Sequence, residues 1–224
     1  MKNIFWLFPV VVAAVFGWRF LNRELLVNRI ECFTQYGYCP NNYLAKLDVF
    51  KKTPLISRLP KKQITQVLQS YSEIKKLDVY RRLPETLVVS VTLRKPVSGI
   101  SDSILGWHSG IDSEGQVFSI DPSSPLPLII TDRSYQPGDN VGTRLTTAGL
   151  FLSEISALTP NRLIGQVTAN RLIFAIGSTQ VVVDLDNSPS NWPSSLQSIL
   201  NRSKIGPKFP KIIDLRFSQP VLTY

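Results

Sequence analysis

The sequence predicts an α+β protein: an N-terminal transmembrane helix, a small β-α-α-β-β domain, then a mostly antiparallel β domain with flanking helices. Three observations carry that reading. Residues 4–18 contain no charged side chain. Leu87 to Leu93 alternates without a break, with Leu87, Val89, Val91 and Leu93 on one side and Val88, Ser90 and Thr92 on the other. Beyond Pro96 the chain turns to short apolar runs separated by Gly, Ser and Pro, the pattern of strands and turns.

The apolar run comes first in the chain. As a helix its 15 residues would extend roughly 22 Å, short of a hydrocarbon core of about 30 Å. Extension to Leu21, with Arg19 snorkelling, brings it close to a full span. Trp6 and Trp18 stand near its ends, as interfacial aromatics do. No small-x-small cleavage site follows, so the run reads as an uncleaved anchor over residues 1–22. Its orientation is contested within the sequence. Arg19, Arg23 and Arg29 follow the run and only Lys2 precedes it, which taken alone puts the later domains in the cytoplasm. Large domains are translocated against that bias, and a disulfide would point outward.

Residues 23–96 make the first domain. Leu25 to Glu31 reads as a strand. Asn41 or Asn42 caps a short helix running through Lys51, with Leu44, Leu47 and Phe50 on one face. Pro54 and Pro60 punctuate a loop. Lys61 to Ile74 is a second helix, because Ile64, Val67, Leu68 and Tyr71 follow i, i+3, i+4, i+7 spacing. Lys76 to Arg81 alternates, Leu83-Pro84-Glu85 turns, and Leu87 to Arg94 returns as a hairpin strand.

Residues 97–224 make the β domain. Trp107 to Ile120 holds a hairpin turning at Ser113-Glu114-Gly115, and Leu126 to Thr131 is a short apolar strand. After a loop at Pro137-Gly138-Asp139-Asn140, Thr146 to Leu158 is an amphipathic helix with Leu150, Phe151, Ile155 and Leu158 inward. Strands follow at 163–168, 171–176 and 180–185, then a helix from Trp192 to Asn201. Lys211 to Phe217 and Pro220 to Tyr224 end the chain as strands.

Charge divides the protein. From Arg19 to Lys95 there are 15 Lys+Arg against 6 Asp+Glu, and from Pro96 onward 9 against 10. An anionic membrane surface suits the basic half better than nucleic acid does; a solvated basic face that aids solubility is the other reading. The aromatic residues are not interleaved with the cations as in a single-strand binder. Cys32 and Cys39 are the only cysteines and His108 the only histidine, too few ligands for a zinc site. A disulfide closing a short loop is the reading if the region is extracytoplasmic, and two unpaired buried thiols otherwise.

The search for chemistry finds little. His108, Ser109 and Asp112 carry the letters of a triad but crowd one turn. Asp112 with Glu114, and Asp184 with Asp186, fit turn and edge solvation better than acid/base work or a calcium site. No GxxxxGK[ST] or GxGxxG occurs. The chain therefore reads as a binding or scaffolding protein, with no catalytic, cofactor-binding or metal residue, no cofactor and no small-molecule substrate.

Four motifs in order carry a family resemblance. Val79-Tyr80-Arg81-Arg82-Leu83-Pro84-Glu85-Thr86-Leu87 is similar to V-x-R-x-x-P-x-x-L, and Val91-Thr92-Leu93-Arg94-Lys95-Pro96-Val97 to V-x-E-R-x-P-V with Leu93 in the acidic place. Gly110 to Phe118 contains D-x-x-G-x-V-F, and Ile213-Asp214-Leu215-Arg216-Phe217 matches I-D-L-R-Y/F. Together they resemble the FtsQ/DivIB family of bacterial cell-division proteins, which join a single span to a POTRA-type domain and a β domain. The family usually carries a basic tail before its span, where this chain has Met1-Lys2-Asn3, and the two cysteines are not part of its pattern. The resemblance implies a non-enzymatic divisome scaffold at the septum, single-pass in the inner membrane with its domains extracytoplasmic. It would link membrane-spanning coiled-coil partners of the FtsB and FtsL kind to septal peptidoglycan synthesis. It also implies a partner surface on the last strands: Arg216 and Phe217 by motif, and Gln219, Val221, Leu222, Thr223 and Tyr224 by continuation of the strand, with β-strand addition as the binding mode. Rival readings are a POTRA-bearing secretion or outer-membrane assembly factor, and a membrane-anchored cell-wall hydrolase whose one handle is His108.

Overall fold

A computed structural model describes residues 11–18, 26–53, 61–102, 108–186, 192–205 and 209–224. The chain divides into two compact units, Met1–Arg94 and Lys95–Tyr224. The first helix, α1, covers residues 11–18, all of them exposed. Among the described residues no helix is long and apolar enough to cross a membrane, which corrects the expected transmembrane helix. Trp6, Arg19 and Leu21, on which that expectation also leaned, lie outside the described residues.

The first unit is built on a four-stranded sheet in the order β2-β1-β4-β3, formed by β1 (Arg29–Thr34), β2 (Gly37–Tyr38), β3 (Ile74–Arg82) and β4 (Thr86–Leu93). β1 lies parallel to β4, and β3 antiparallel to it. Helices α2 (Asn41–Leu47) and α3 (Lys61–Leu68) cover one face. There Tyr43, Leu47, Ile64 and Leu68 meet Cys32, Leu87, Val89 and Val91 in one buried cluster. The period-2 pattern of β4 dictates that arrangement, because Leu87, Val89 and Val91 project to a single side. Several boundaries differ from the expected ones. Pro40, not an asparagine, stands at the α2 N-cap, and its fixed φ suits the entry. α2 ends at Leu47 and tightens into a 3-10 turn over Asp48–Phe50. α3 stops at Leu68, and Ile74 opens β3 instead of closing the helix. Leu25 lies outside the described residues, and β1 begins at Arg29.

On the helix-free face, alternation brings Glu31, Val88 and Tyr80 side by side. Glu31 Oε2 accepts from Arg82 Nη1 at 2.7 Å and Glu31 Oε1 pairs with Arg29 at 3.2 Å. Glu31 thus joins cations from β1 and β3 across β4, and Val88 beside it is fully buried. A Cys32–Cys39 disulfide staples the β1–β2 hairpin.

The second unit is a nine-stranded sheet in the order β13-β12-β11-β10-β9-β8-β5-β6-β7. Its strands are β5 (Pro96–Asp102), β6 (His108–Asp112), β7 (Val117–Ser119), β8 (Leu128–Thr131), β9 (Ile164–Thr168), β10 (Arg171–Ile176), β11 (Thr179–Asp184), β12 (Ile212–Asp214) and β13 (Val221–Thr223). The pairs β5–β8, β8–β9 and β11–β12 are parallel and the other five antiparallel, so the sheet is mixed with antiparallel pairing in the majority. Two of the parallel steps arise because α4 (Gly142–Ser156) connects β8 to β9 and α5 (Trp192–Ile205) connects β11 to β12. Both crossovers leave strands running the same way and step toward the β13 edge. Right-handed crossovers then place both helices on one face. Their apolar sides share a core in which the Phe151 ring meets Phe174 at 5.9 Å and Trp192 at 6.1 Å.

α4 starts four residues earlier than its apolar spacing suggests, and its inward set is Leu145, Ala148, Phe151, Leu152 and Ile155. Leu150 and Leu158, expected inward, are exposed. Gly149 sets the depth of α4 on the sheet: a Cβ there would lie 2.5 Å from Ser98 Oγ on β5. Gly149→Val should therefore lower stability by about 1–3 kcal/mol through overpacking. Urea unfolding checks this, and an unchanged midpoint would show that β5 and α4 can separate without loss.

Candidate partner-binding edge

Two open sheets present four edge strands, and an edge exposes backbone N–H and C=O groups able to pair with another chain. β3 is long enough to do so, but its nine residues carry Lys75, Lys76, Asp78, Arg81 and Arg82. Charges on an edge disfavour addition of a further strand. β7 is covered locally: Val117 N–H donates to Asp139 O at 2.9 Å, and Gly138 N–H donates to Val117 O at 2.9 Å. β2 has only two residues. β13 differs from all three. Gln219 to Tyr224 holds no charged side chain, and β12 is the only strand paired with β13 among the described residues.

The geometry of β13 follows from one bond. Lys211 N–H donates to Thr223 O at 2.7 Å, so that carbonyl faces inward to β12. Alternation along a strand then turns the N–H and C=O of Leu222 to the open side. Pro220 falls on the same outward phase, where its missing N–H costs no ladder bond. Leu222 packs its side chain against the core, while Val221 and Tyr224 are exposed. The edge therefore offers outward backbone groups from a strand whose apolar side is already anchored.

The expected partner residues do not all sit on this strand. Val221, Leu222 and Thr223 form β13, and Tyr224 follows it. β12 ends at Asp214, so Arg216, Phe217 and Gln219 occupy the connection between the two strands. Leu215 ties that connection down, fully buried, its N–H donating to Val182 O at 2.8 Å. Arg216 is spent within the chain. Its Nε and Nη2 donate to the Asp214 carboxylate at 2.9 Å and 2.6 Å, and its backbone N–H donates to Asp214 Oδ1 at 3.0 Å. An Asp-x-Arg spacing on a period-2 segment puts both side chains on one face, and that signal was present in the sequence. Phe217, 55% exposed, stands under the Arg216 guanidinium at 5.7 Å from the ring centroid. Exposure, not core packing, is the state of Phe217. The contribution of Lys211, which orients β13, left no trace in side-chain chemistry because its backbone does the work.

The remaining candidates resolve into structure. His108 and Ser109 are consecutive residues of β6, and Asp112 closes the same strand. Asp112 is buried and its Oδ1 accepts from Glu114 N–H and Gln116 N–H, both at 2.9 Å, which shapes the β6–β7 turn. Asp184 accepts from Asn170 at 3.2 Å, and Asp186 takes a two-point contact from Arg144. No group of three residues able to hold a metal ion occurs among the described residues. Searched against known proteins, the chain matches no family model and no curated sequence.

Hydrogen bonds from the Arg216 side chain, ahead of its backbone bond and charge, hold the Asp214 carboxyl below its ordinary value of 3.8. The sign follows directly. The stabilisation from this pair is fully present above the unfolded carboxylate range and is lost as pH falls through the lowered folded value. Asp214→Asn should cost about 1–2 kcal/mol at neutral pH and flatten the acid limb of the stability–pH curve below the ordinary carboxylate range. Urea titrations across that range check it; an unchanged acid limb would remove the pair as the anchor of the β12–β13 connection.

Proposed function

We propose that this chain is a non-enzymatic scaffold of the bacterial division machinery, of the FtsQ/DivIB kind. It captures an extended segment of a coiled-coil partner on the β13 edge. The observation that carries the reading is the contrast among edges. β13 is uncharged and turns the Leu222 N–H and C=O outward, whereas β3 is guarded by five charges and β7 is covered by its own loop. Strand addition at such an edge draws affinity from main-chain hydrogen bonds and specificity from alternate side chains.

Two further features support it. The first unit runs strand, helix, helix, strand, strand, with the short β2 added at the edge, the order the POTRA resemblance implies. The Cys32–Cys39 disulfide suits an extracytoplasmic compartment, where disulfides persist. In this reading the partner is an FtsB- or FtsL-like division protein and the place of action is the septum. Arg216 serves by fixing the connection, and the partner meets Phe217, Val221 and the backbone of Leu222.

Capture of the coiled-coil partner by the full chain tests the proposal. Phe217→Ala with Val221→Lys removes an exposed ring and places a charge on the edge. Capture should fall about tenfold or more, a loss of about 1.4 kcal/mol per decade. Both side chains are exposed, so the urea midpoint should hold. Undiminished capture with the fold intact would reject β13 as the partner edge.

A further inference from the structure

The tip of the β1–β2 hairpin, residues Thr34 to Tyr38, is held in place more firmly than its position explains. The Cys32–Cys39 disulfide closes its base, and Cys39 N–H donates to Cys32 O at 3.0 Å. Gln35 extends its side chain to β4 and pairs there as a strand residue would. Its Nε2 donates to Leu93 O at 3.0 Å, and its Oε1 accepts from Leu93 N–H at 2.9 Å. Thr34 Oγ1 accepts from Tyr36 N–H at 3.1 Å and donates to Gly37 O at 3.2 Å. Gly37 takes a φ of +128°, which a side chain would resist.

What this framework displays is apolar. Tyr36 is 72% exposed and Tyr38 80%, and the Tyr38 ring leans on Phe33 with centroids 5.1 Å apart. Neither ring adds to the core of the unit. A locked support for two solvent-facing tyrosines does reduce the ordering cost of a later contact, and tyrosine suits a contact that is apolar at one end and wet at the other.

Charge selects the occupant. Because β1 and β4 are parallel and β3 is antiparallel to them, the hairpin tip shares one end of the sheet with the start of β3. Lys75, Lys76 and Arg94 lie at that end, and Lys46 reaches it by donating to Ser70. Among the described residues Glu73 and Asp78 are the acids beside them, Asp78 pairing with Lys76 at 2.8 Å and Glu73 accepting from the Tyr43 hydroxyl, which leaves the cations in excess. We infer that this end of the first unit is a peripheral docking surface for an anionic lipid bilayer. Tyr36 and Tyr38 seat at headgroup depth, and the surrounding cations attract the surface charge. A glycan or a neutral protein surface would use the rings but draw nothing from the cations.

Residues 4–18 are themselves apolar, so sedimentation of the whole chain with vesicles does not isolate the hairpin. Site-resolved tyrosine nitration does. The full chain is treated with tetranitromethane alone, with phosphatidylcholine vesicles, and with vesicles that also contain phosphatidylglycerol. Tyr80, 46% exposed near the opposite end of the sheet, is the internal control. Tyr36 and Tyr38 should be protected on the anionic vesicles and about tenfold less on neutral ones. The protection should vanish in high salt, and Tyr80 should stay reactive throughout. Equal protection on both vesicle types, loss of Tyr80 reactivity in parallel, or no protection of Tyr36 and Tyr38 would each overturn the assignment. Protection by soluble glycan fragments in place of vesicles would overturn it in favour of a sugar surface.

Discussion

An open β-sheet satisfies its interior by pairing and leaves two rows of backbone donors and acceptors at its margins. Those rows must meet water, be covered, or meet another chain. In the first unit the long margin carries β3 and is defended by charge, at Lys75, Lys76, Asp78, Arg81 and Arg82. The opposite margin is cut short at β2 and stapled. In the second unit the β7 margin is folded over by the 138–139 loop. After these devices a single uncharged strand, β13, remains open among the described residues. Function is read from what the fold protects as much as from what it exposes.

The same constraint explains why β13 can be short without being weak. Three residues of strand contribute few ladder bonds, and an isolated edge of that length would fray. Here both flanks are fixed. Leu215 is bonded to Val182 on one side of the connection, and Lys211 reaches back to Thr223 on the other. The Asp214–Arg216 pair rigidifies the turn between them. These are local bonds to β11 and β12, which in turn rest on α4 and α5 through Ile213 and Leu215 in the core. The edge is therefore preorganised by the core, and an incoming segment would bear most of the ordering cost itself.

How far the sequence revealed this differs from one element to the next, for physical reasons. The alternation from Leu87 to Leu93 was legible because β4 buries one side under helices and its neighbours repeat the pattern. The end of α3 was not, since Tyr71 continues the helical spacing although Ser70 and Ser72 favour turns. The start of α4 was hidden because its first turn, Gly142-Thr143-Arg144-Leu145, has only one apolar residue. Strand direction in the second unit was illegible from periodicity. It depends on α4 and α5 being crossovers, and period-2 patterns do not encode parallel or antiparallel pairing. The sequence from Lys211 to Phe217 reads as one strand, yet β12 ends at Asp214 and Arg216 and Phe217 lie in the connection beyond it. The apolar run at residues 4–18 predicts a membrane-spanning helix, and among the described residues no helix is long and apolar enough to cross a membrane.

The two surfaces draw on opposite physics, and that separates them experimentally. The β13 edge depends on main-chain hydrogen bonds and on Phe217 and Val221, groups that respond weakly to ionic strength. The hairpin end of the first unit depends on cations acting over a Debye length of about 8 Å at physiological salt. The uneven charge of the sequence is consistent with this division: 15 Lys+Arg against 6 Asp+Glu between Arg19 and Lys95, and 9 against 10 beyond. A surplus of charge close to a strand edge would work against strand addition, and a nearly neutral domain would gain nothing from an anionic surface. Placing the cations in one unit and the uncharged edge in the other lets each surface operate without weakening the second.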